Sequence, residues 1–205
     1  MDARDLAGLR EAARALWTHE QLLGWLSSSR DDVAAAAAQC IGVTGLQKDT
    51  PALAELLHHS SAEVVQAAES ALWRLWMRGP DAAATRTLET AIAAIGAQAF
   101  SQAVEMLTPL VRRAPEFAEA HHQLGLALHS LDRLDDADAE YVSATALNAH
   151  HFAAFAGRGH LAVQRGSLED ALRCYERSVK IHPRQPELQR VIPEIKAALE
   201  RRSVA

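Results

Sequence analysis

Aromatic side chains make up only 5% of this 205-residue chain, and Val, Ile and Thr are sparse, so the residue types that favour strands are largely missing. In their place stand 42 alanines, and alanine is the strongest helix former. The composition is that of an all-α protein. Positive charge is also short. Against 26 Asp and Glu there are 21 Lys and Arg, a formal net charge of −5, which leaves no basic footprint for nucleic acid or an anionic membrane. No stretch approaches the roughly 18 apolar residues of a membrane span, and Met1-Asp2-Ala3-Arg4-Asp5 has neither the basic region nor the apolar run of a secretion signal. The chain therefore reads as cytoplasmic, with no direct membrane insertion. Cysteine is limited to Cys40 and Cys174, far apart in alanine-rich stretches, which reads as two reduced core thiols.

Motifs that carry chemistry are missing too. There is no Gly-rich phosphate loop, no Gly-x-Ser-x-Gly elbow, no Cys-x-x-Cys and no His-Glu-x-x-His. The ten histidines are the one compositional oddity. The adjacent pairs His58-His59, His121-His122 and His150-His151 point roughly 100° apart on a helix and cannot grip one ion together. His122 and His129 share a face but lie roughly 10 Å apart along the axis, too far for one zinc shell. The expectation is no metal, no cofactor and no enzyme activity. The acidic run Asp132, Asp135, Asp136, Asp138, Glu140 reads as helix-dipole complementation and solubility, or as an acidic rim for a basic partner.

What the sequence does contain is repetition. At a spacing of 34, Gly125 falls on Gly159, Ala103 on Ala137 and Ala171, Leu107 on Tyr141 and Tyr175, and Phe100 on Leu134 and Leu168, while Pro115 and Pro183 lie two periods apart. Small residues where helices meet, a large one a turn later and a proline beyond the second helix describe a packed helix hairpin. Three units span 84–117, 118–151 and 152–185. Residues 186–202, with Leu188, Val191, Ile192, Ile195 and Leu199 at helical spacing, predict a capping helix. These residues resemble the tetratricopeptide repeat (TPR) family. Leu124-Gly125, Ala137, Tyr141 and Ala144, then Gly159, Gly166, Ala171, Tyr175 and Pro183, stand at its signature positions over about half the chain. Thr87, Ala91 and Ala149 depart from that pattern.

The first 79 residues carry a second period, of 31. Leu22 falls on Leu53, Leu26 on Leu57, Ser29 on Ser60, Asp32 on Glu63, Val33 on Val64, Ala37 on Ala68 and Ile41 on Leu72. Each unit predicts a short helix, a Ser-rich loop and a longer helix capped by Ser29 or Ser60, with Asp31, Asp32 and Glu63 at its positive end. The pattern resembles short HEAT-like repeats of the kind found in lyases that attach bilins to phycobiliproteins. Residues 2–17, with Leu6, Leu9, Ala13, Leu16 and Trp17, are expected to cap that end. Thr50-Pro51 predicts a helix start, and Gly79-Pro80-Asp81 a helix stop followed by a new cap. The expected architecture is an all-α solenoid, a right-handed superhelix of antiparallel helix pairs. A HEAT-like array in 1–79 would stack on a TPR array in 80–205.

The TPR resemblance implies a concave groove lined by the first helix of each unit. Carried onto this sequence, the groove positions are Leu88, Ile92 and Ile95, then His122, Leu126 and His129, then Ala156, His160 and Val163. Repeats that clasp the C-terminal carboxylate of heat-shock chaperones carry Lys, Arg and Asn there, and this chain has none. The expectation is a non-enzymatic scaffold or adaptor that holds a partner helix or extended apolar segment. The alternatives are a ligand- or pH-responsive sensor using the groove histidines, and a non-catalytic subunit of a lyase-like complex. Trp73 lies off the stripe Val64, Val65, Ala68, Leu72, Trp76, so it packs at a repeat junction or offers a second interface. Eighteen Arg against three Lys, with the high alanine content, point to a GC-rich bacterial genome.

Overall fold

The computed structural model describes residues 3–204, with side chains for residues 8–202. The chain divides into two compact units, Met1–Arg78 and Gly79–Ala205. The described residues are α-helical with two short 3-10 turns, and no strand forms among them.

In the first unit, helices α1 (Ala3–Leu16), α2 (His19–Trp25) and α3 (Asp31–Thr44) are followed by α4 (Thr50–Glu55), flanked by 3-10 turns, and α5 (Ala62–Trp76). The long helices α3 and α5 pack against each other, and α1 and α2 lie on α3. The interface is close because it is rich in alanine, which lets the two backbones approach. A Cβ on Gly42 of α3 would meet the Ala71 Cα of α5 at 2.7 Å. The 31-residue register marks this core: Leu22, Leu26, Ala37, Ile41, Leu53, Leu57, Val64, Ala68 and Leu72 are all buried. Pro51 stands in the first turn of α4, as its sequence predicts. The serine caps do not form as expected. Arg30 and Ser61 are the N-cap residues, one position later than Ser29 and Ser60, and neither gives a side-chain cap. The acidic residues of the first turns are left to complement the helix dipoles. In α1, Ala13 is buried but Leu16 and Trp17 are exposed, so the capping face is narrower than its apolar pattern suggests. The Leu6 side chain lies outside the described residues. Asp49 is buried as well, accepting from the Leu46 amide at 2.7 Å and facing His19 Nε2 at 3.1 Å.

The second unit contains α6 (Ala82–Gly96), α7 (Phe100–Arg113), α8 (Ala118–Ser130), α9 (Leu134–Leu147), α10 (Phe152–Gln164), α11 (Leu168–Ile181) and α12 (Pro186–Val204). Asp81 caps α6 by accepting from the Ala84 amide at 2.6 Å. Each helix packs on the next, and α6 on α8 and α8 on α10 as well, which is the contact pattern of stacked hairpins in an all-α solenoid. The turns inside the hairpins repeat in detail. Gln98, Asp132 and Gly166, each 34 residues on, adopt positive φ of 60°, 59° and 75°. At each, the following amide reaches back to close a Schellman motif: Ala99 to Ala94, Arg133 to Leu128 and Ser167 to Ala162.

The hairpins are locked by tyrosine on glycine. Tyr141 of α9 lies between Gly125 of α8 and Gly157 of α10, where an added Cβ would sit 2.9 Å and 2.7 Å from its ring. Tyr175 of α11 covers Gly159 in the same way, and Ala103, Ala137 and Ala171 sit fully buried one turn earlier. Helix α12 closes the stack over Ala162, Ala171 and Tyr175 with Leu188 and Ile195. No helix among the described residues is long and apolar enough to cross a membrane.

Candidate functional site

The stacked first helices α8 and α10 leave a groove of about 530 Å³ between them. Of the residues the sequence singled out, His122, Leu126, His129, Ala156 and His160 line it. Tyr141 and Phe152 form its aromatic floor. No Lys, Arg or Asn is among its lining residues. The remaining positions fall elsewhere. Leu88 is fully buried, so it cannot touch a partner: its helical stripe faces the interior. Ile92 and Ile95 are half-buried outside this groove, and Val163 is exposed outside it. Trp73 is half-buried and meets Trp76 edge to face at 5.2 Å.

The polar groups of the groove are oriented by hydrogen bonds that reach behind it. His160 Nδ1 lies 2.8 Å from the Tyr175 hydroxyl. Burial, with Glu187 and Cys174 nearby, pushes that phenol up to about 12, so it keeps its proton and is able to donate to the ring. When the phenol donates, His160 carries its own proton on Nε2, a donor for a ligand. Partial burial lowers the pKa of His160, against the pull of Glu187. His129 Nε2 donates to Gln164 Oε1 at 2.7 Å, because the amide nitrogen of Gln164 is already spent on Asp132 at 2.8 Å. His122 gives its Nδ1 to Glu119 Oε1 at 3.2 Å, which leaves Nε2 as an acceptor in the neutral ring. The groove thus offers an apolar floor edged by polar groups, among them the ring nitrogens of His122 and His160.

Behind His122 sits a cluster that the sequence reading missed. Glu119 is 1% exposed and takes three donors: Gln123 Nε2 at 2.7 Å, His122 Nδ1, and His151 Nε2 at 2.8 Å. Burial works against its charge, but the two imidazoles outweigh that cost and hold the carboxyl well below the usual range. Burial also lowers His151, with the charge of His122 adding to it and the bond to Glu119 opposing it. Glu119, His122 and His151 bring three ligand atoms within 4.8 Å of one another, a donor set that zinc accepts. The expectation of no metal site considered histidine pairs alone, and overlooked Glu119 three residues before His122. The hydrogen-bond pattern nevertheless describes a paired carboxylate. His151 Nδ1 caps α10 by accepting from the Ala154 amide at 3.2 Å, so its proton lies on Nε2, the atom a metal would need bare. His151 opens the third hairpin and Glu119 the second, so the cluster fastens successive repeats. His121 points the other way and is buried between Glu140, at 2.6 Å, and the Pro115 carbonyl.

The acidic run is paired within the chain. Asp136 binds Arg133, while Asp135 and Asp138 both bind Arg165.

No family model matches the sequence, and no curated protein matches it. Solved structures do. The TPR domain of Sgt2 from Aspergillus fumigatus is 16% identical and aligns over 62% of this chain and 85% of its own, with a TM-score of 0.57. The first TPR domain of Spaghetti (RPAP3), solved with an HSP90 peptide, is 22% identical over 57% of this chain and 93% of its own, with a TM-score of 0.55. YrrB, described as a TPR protein with an unusual peptide-binding site, is 20% identical over 92% of this chain and 87% of its own, with a TM-score of 0.51. The chain has the all-α fold of tetratricopeptide-repeat proteins.

Proposed function

We propose that this chain is a non-enzymatic adaptor that holds an amphipathic helix or extended apolar segment of a partner protein in the groove between α8 and α10. The observation that carries the reading is the groove's lining, in which Leu126, Tyr141, Phe152 and Ala156 surround the polar tips of His122 and His160. Burying apolar side chains there contributes roughly 25 cal/mol per Å². A chaperone tail of the kind bound by the RPAP3 neighbour is acidic, and a lining without Lys, Arg or Asn gives its carboxylates no cation. The partner segment is therefore apolar rather than acidic. Residues 19–79 are read as HEAT-like on their 31-residue period, and serve as a second part of the same adaptor.

The test compares the parent with a Leu126→Asp, His160→Asp variant whose helix content is first checked by circular dichroism. Each is immobilised and exposed to lysate of the native host. A protein held by the parent and lost by the variant supports the groove. Retention that ignores the variant sinks the reading.

The convergence of three histidines on one groove favours pH response as a second reading. Charging His122, His129 and His160 would place positive charge over the apolar floor, offset in part by Glu119 against His122, Asp132 beyond Gln164 and Glu187 near His160. Affinity for the captured partner should then drop steeply from about pH 7.5 to 5.5. A flat profile removes this reading and leaves the adaptor in place.

A further inference from the structure

The face of α10 opposite the groove borders a second cavity, of about 370 Å³, walled by α10 and α11. Four guanidinium groups line it, those of Arg158, Arg165, Arg173 and Arg177, against two carboxylates, Asp138 and Asp170. This concentration of positive charge stands out in a chain whose formal net charge is −5. The guanidiniums are held in place around the space. Asp138 lies between Arg158, at 3.8 Å, and Arg165, at 3.3 Å. Asp170 pairs with Arg173, and Arg177 lies over the Phe155 ring at 5.6 Å while donating to the Ala149 carbonyl at 3.2 Å. One donor is left over. The Arg158 Nε is buried and has no hydrogen-bond acceptor, because Asp138 at 3.8 Å is too far to serve as one. A buried charged donor without an acceptor is costly, and an anion in the cavity would supply what it lacks.

We propose that this cavity is a binding site for a small phosphate-bearing anion, with a di- or triphosphate group as the recognised chemistry. A guanidinium offers five donors in a planar fork that matches phosphate oxygens, and the carboxylates around them, Asp135 and Asp138 on Arg165 and Asp170 on Arg173, occupy only some of those donors. Asp138 and Asp170 keep the arginines poised in the free protein, which lowers the ordering cost of binding. The apolar wall of Leu161 and Ala162 excludes water from one side and strengthens the attraction. A free polyphosphate and the phosphate chain of a nucleotide share this chemistry.

Cys174 lines the same cavity and is half-buried, whereas Cys40 is buried in the first unit, so alkylation at Cys174 reports occupancy locally. The full chain is treated with iodoacetamide in the presence of inorganic pyrophosphate, ADP or a poly-Glu peptide, and modification at Cys174 is followed by mass spectrometry. Pyrophosphate is expected to slow modification by about tenfold at millimolar concentration, with the effect weakening as salt rises. Equal protection by ADP assigns the site to the phosphate chain, and stronger protection assigns it to a nucleotide; either supports the proposal. The Arg158→Gln, Arg173→Gln variant should lose the protection, and Arg190→Gln, at an exposed position of α12, should keep it. The exposed Arg173→Gln change alone serves if the double variant does not fold. Protection by poly-Glu but not by pyrophosphate, no protection by either phosphate compound, or equal protection in parent and Arg173→Gln overturns the proposal.

Discussion

At Glu119, a single carboxylate ties together residues from two repeats, and its worth follows from its burial. Glu119→Gln removes the charge that three donors face and points an amide nitrogen at one of them. Charge-assisted hydrogen bonds of this kind contribute about 1.5–3 kcal/mol, and the variant should lose about that much in urea unfolding. A loss below about 0.5 kcal/mol would mean that the cluster does not fasten the hairpins. Gly159→Ala probes the tyrosine lock. The new methyl group would overlap the Tyr175 ring, which is 2% exposed and has no room to retreat, so overpacking should cost about 1–3 kcal/mol. Gly24→Ala, with nothing within 4 Å of its added Cβ, is the control and should be neutral or stabilising.

Among the elements, the hairpin turns show how a period becomes geometry. Gln98, Asp132 and Gly166 hold the same left-handed position, and only the last has the residue that adopts it without strain. Gln98→Gly should therefore stabilise the second unit by about 0.5–1 kcal/mol, the relief of strain exceeding the extra chain entropy of glycine. An unchanged or lower melting temperature would contradict this. The helix start at Thr50-Pro51 and the cap at Asp81 were both legible, because each rests on contacts within one or two turns of chain. The serine caps were misread by one residue, since Ser28 and Ser29 offer several local alternatives and the loop selects among them by its packing. Glu119 and His151 were invisible as a pair. They lie 32 positions apart, close to one repeat, and only the stacking of α10 on α8 brings them together.

Over the whole molecule, His151, His160 and Glu119 give stability one direction with pH. His151 and His160 both titrate below their ordinary value in the folded chain, so between that lowered value and about pH 6.5 the unfolded chain binds more protons. Stability is therefore full above about pH 6.5 and falls as the pH drops, with His151 contributing up to about 1.4 kcal/mol per pH unit. His160, being exposed, contributes less. Glu119 acts in the same sense at lower pH, because its contribution is complete above its ordinary value and is lost as acid protonates it. Urea midpoints measured from pH 8 to 5 should decline below about pH 6.5, and His151→Asn should flatten the upper part of that decline. A midpoint that rises towards pH 5 would reverse the assigned sign.

Sequence alone determined the all-α class, the 34- and 31-residue periods and the side chains that meet across each hairpin. Alanine content, glycine opposite tyrosine and the turn residues act over short separations, and spacing reports them directly. Tertiary structure decided which groove positions are open. Ile92 and Leu126 occupy the same register, one 34-residue period apart, yet one lies outside the groove and the other lines it. It also decided which arginines surround a cavity and which carboxylate is buried. Those outcomes depend on which faces of the helices meet across repeats, and a one-dimensional period constrains the meeting residues of a hairpin far more tightly than the space left between hairpins.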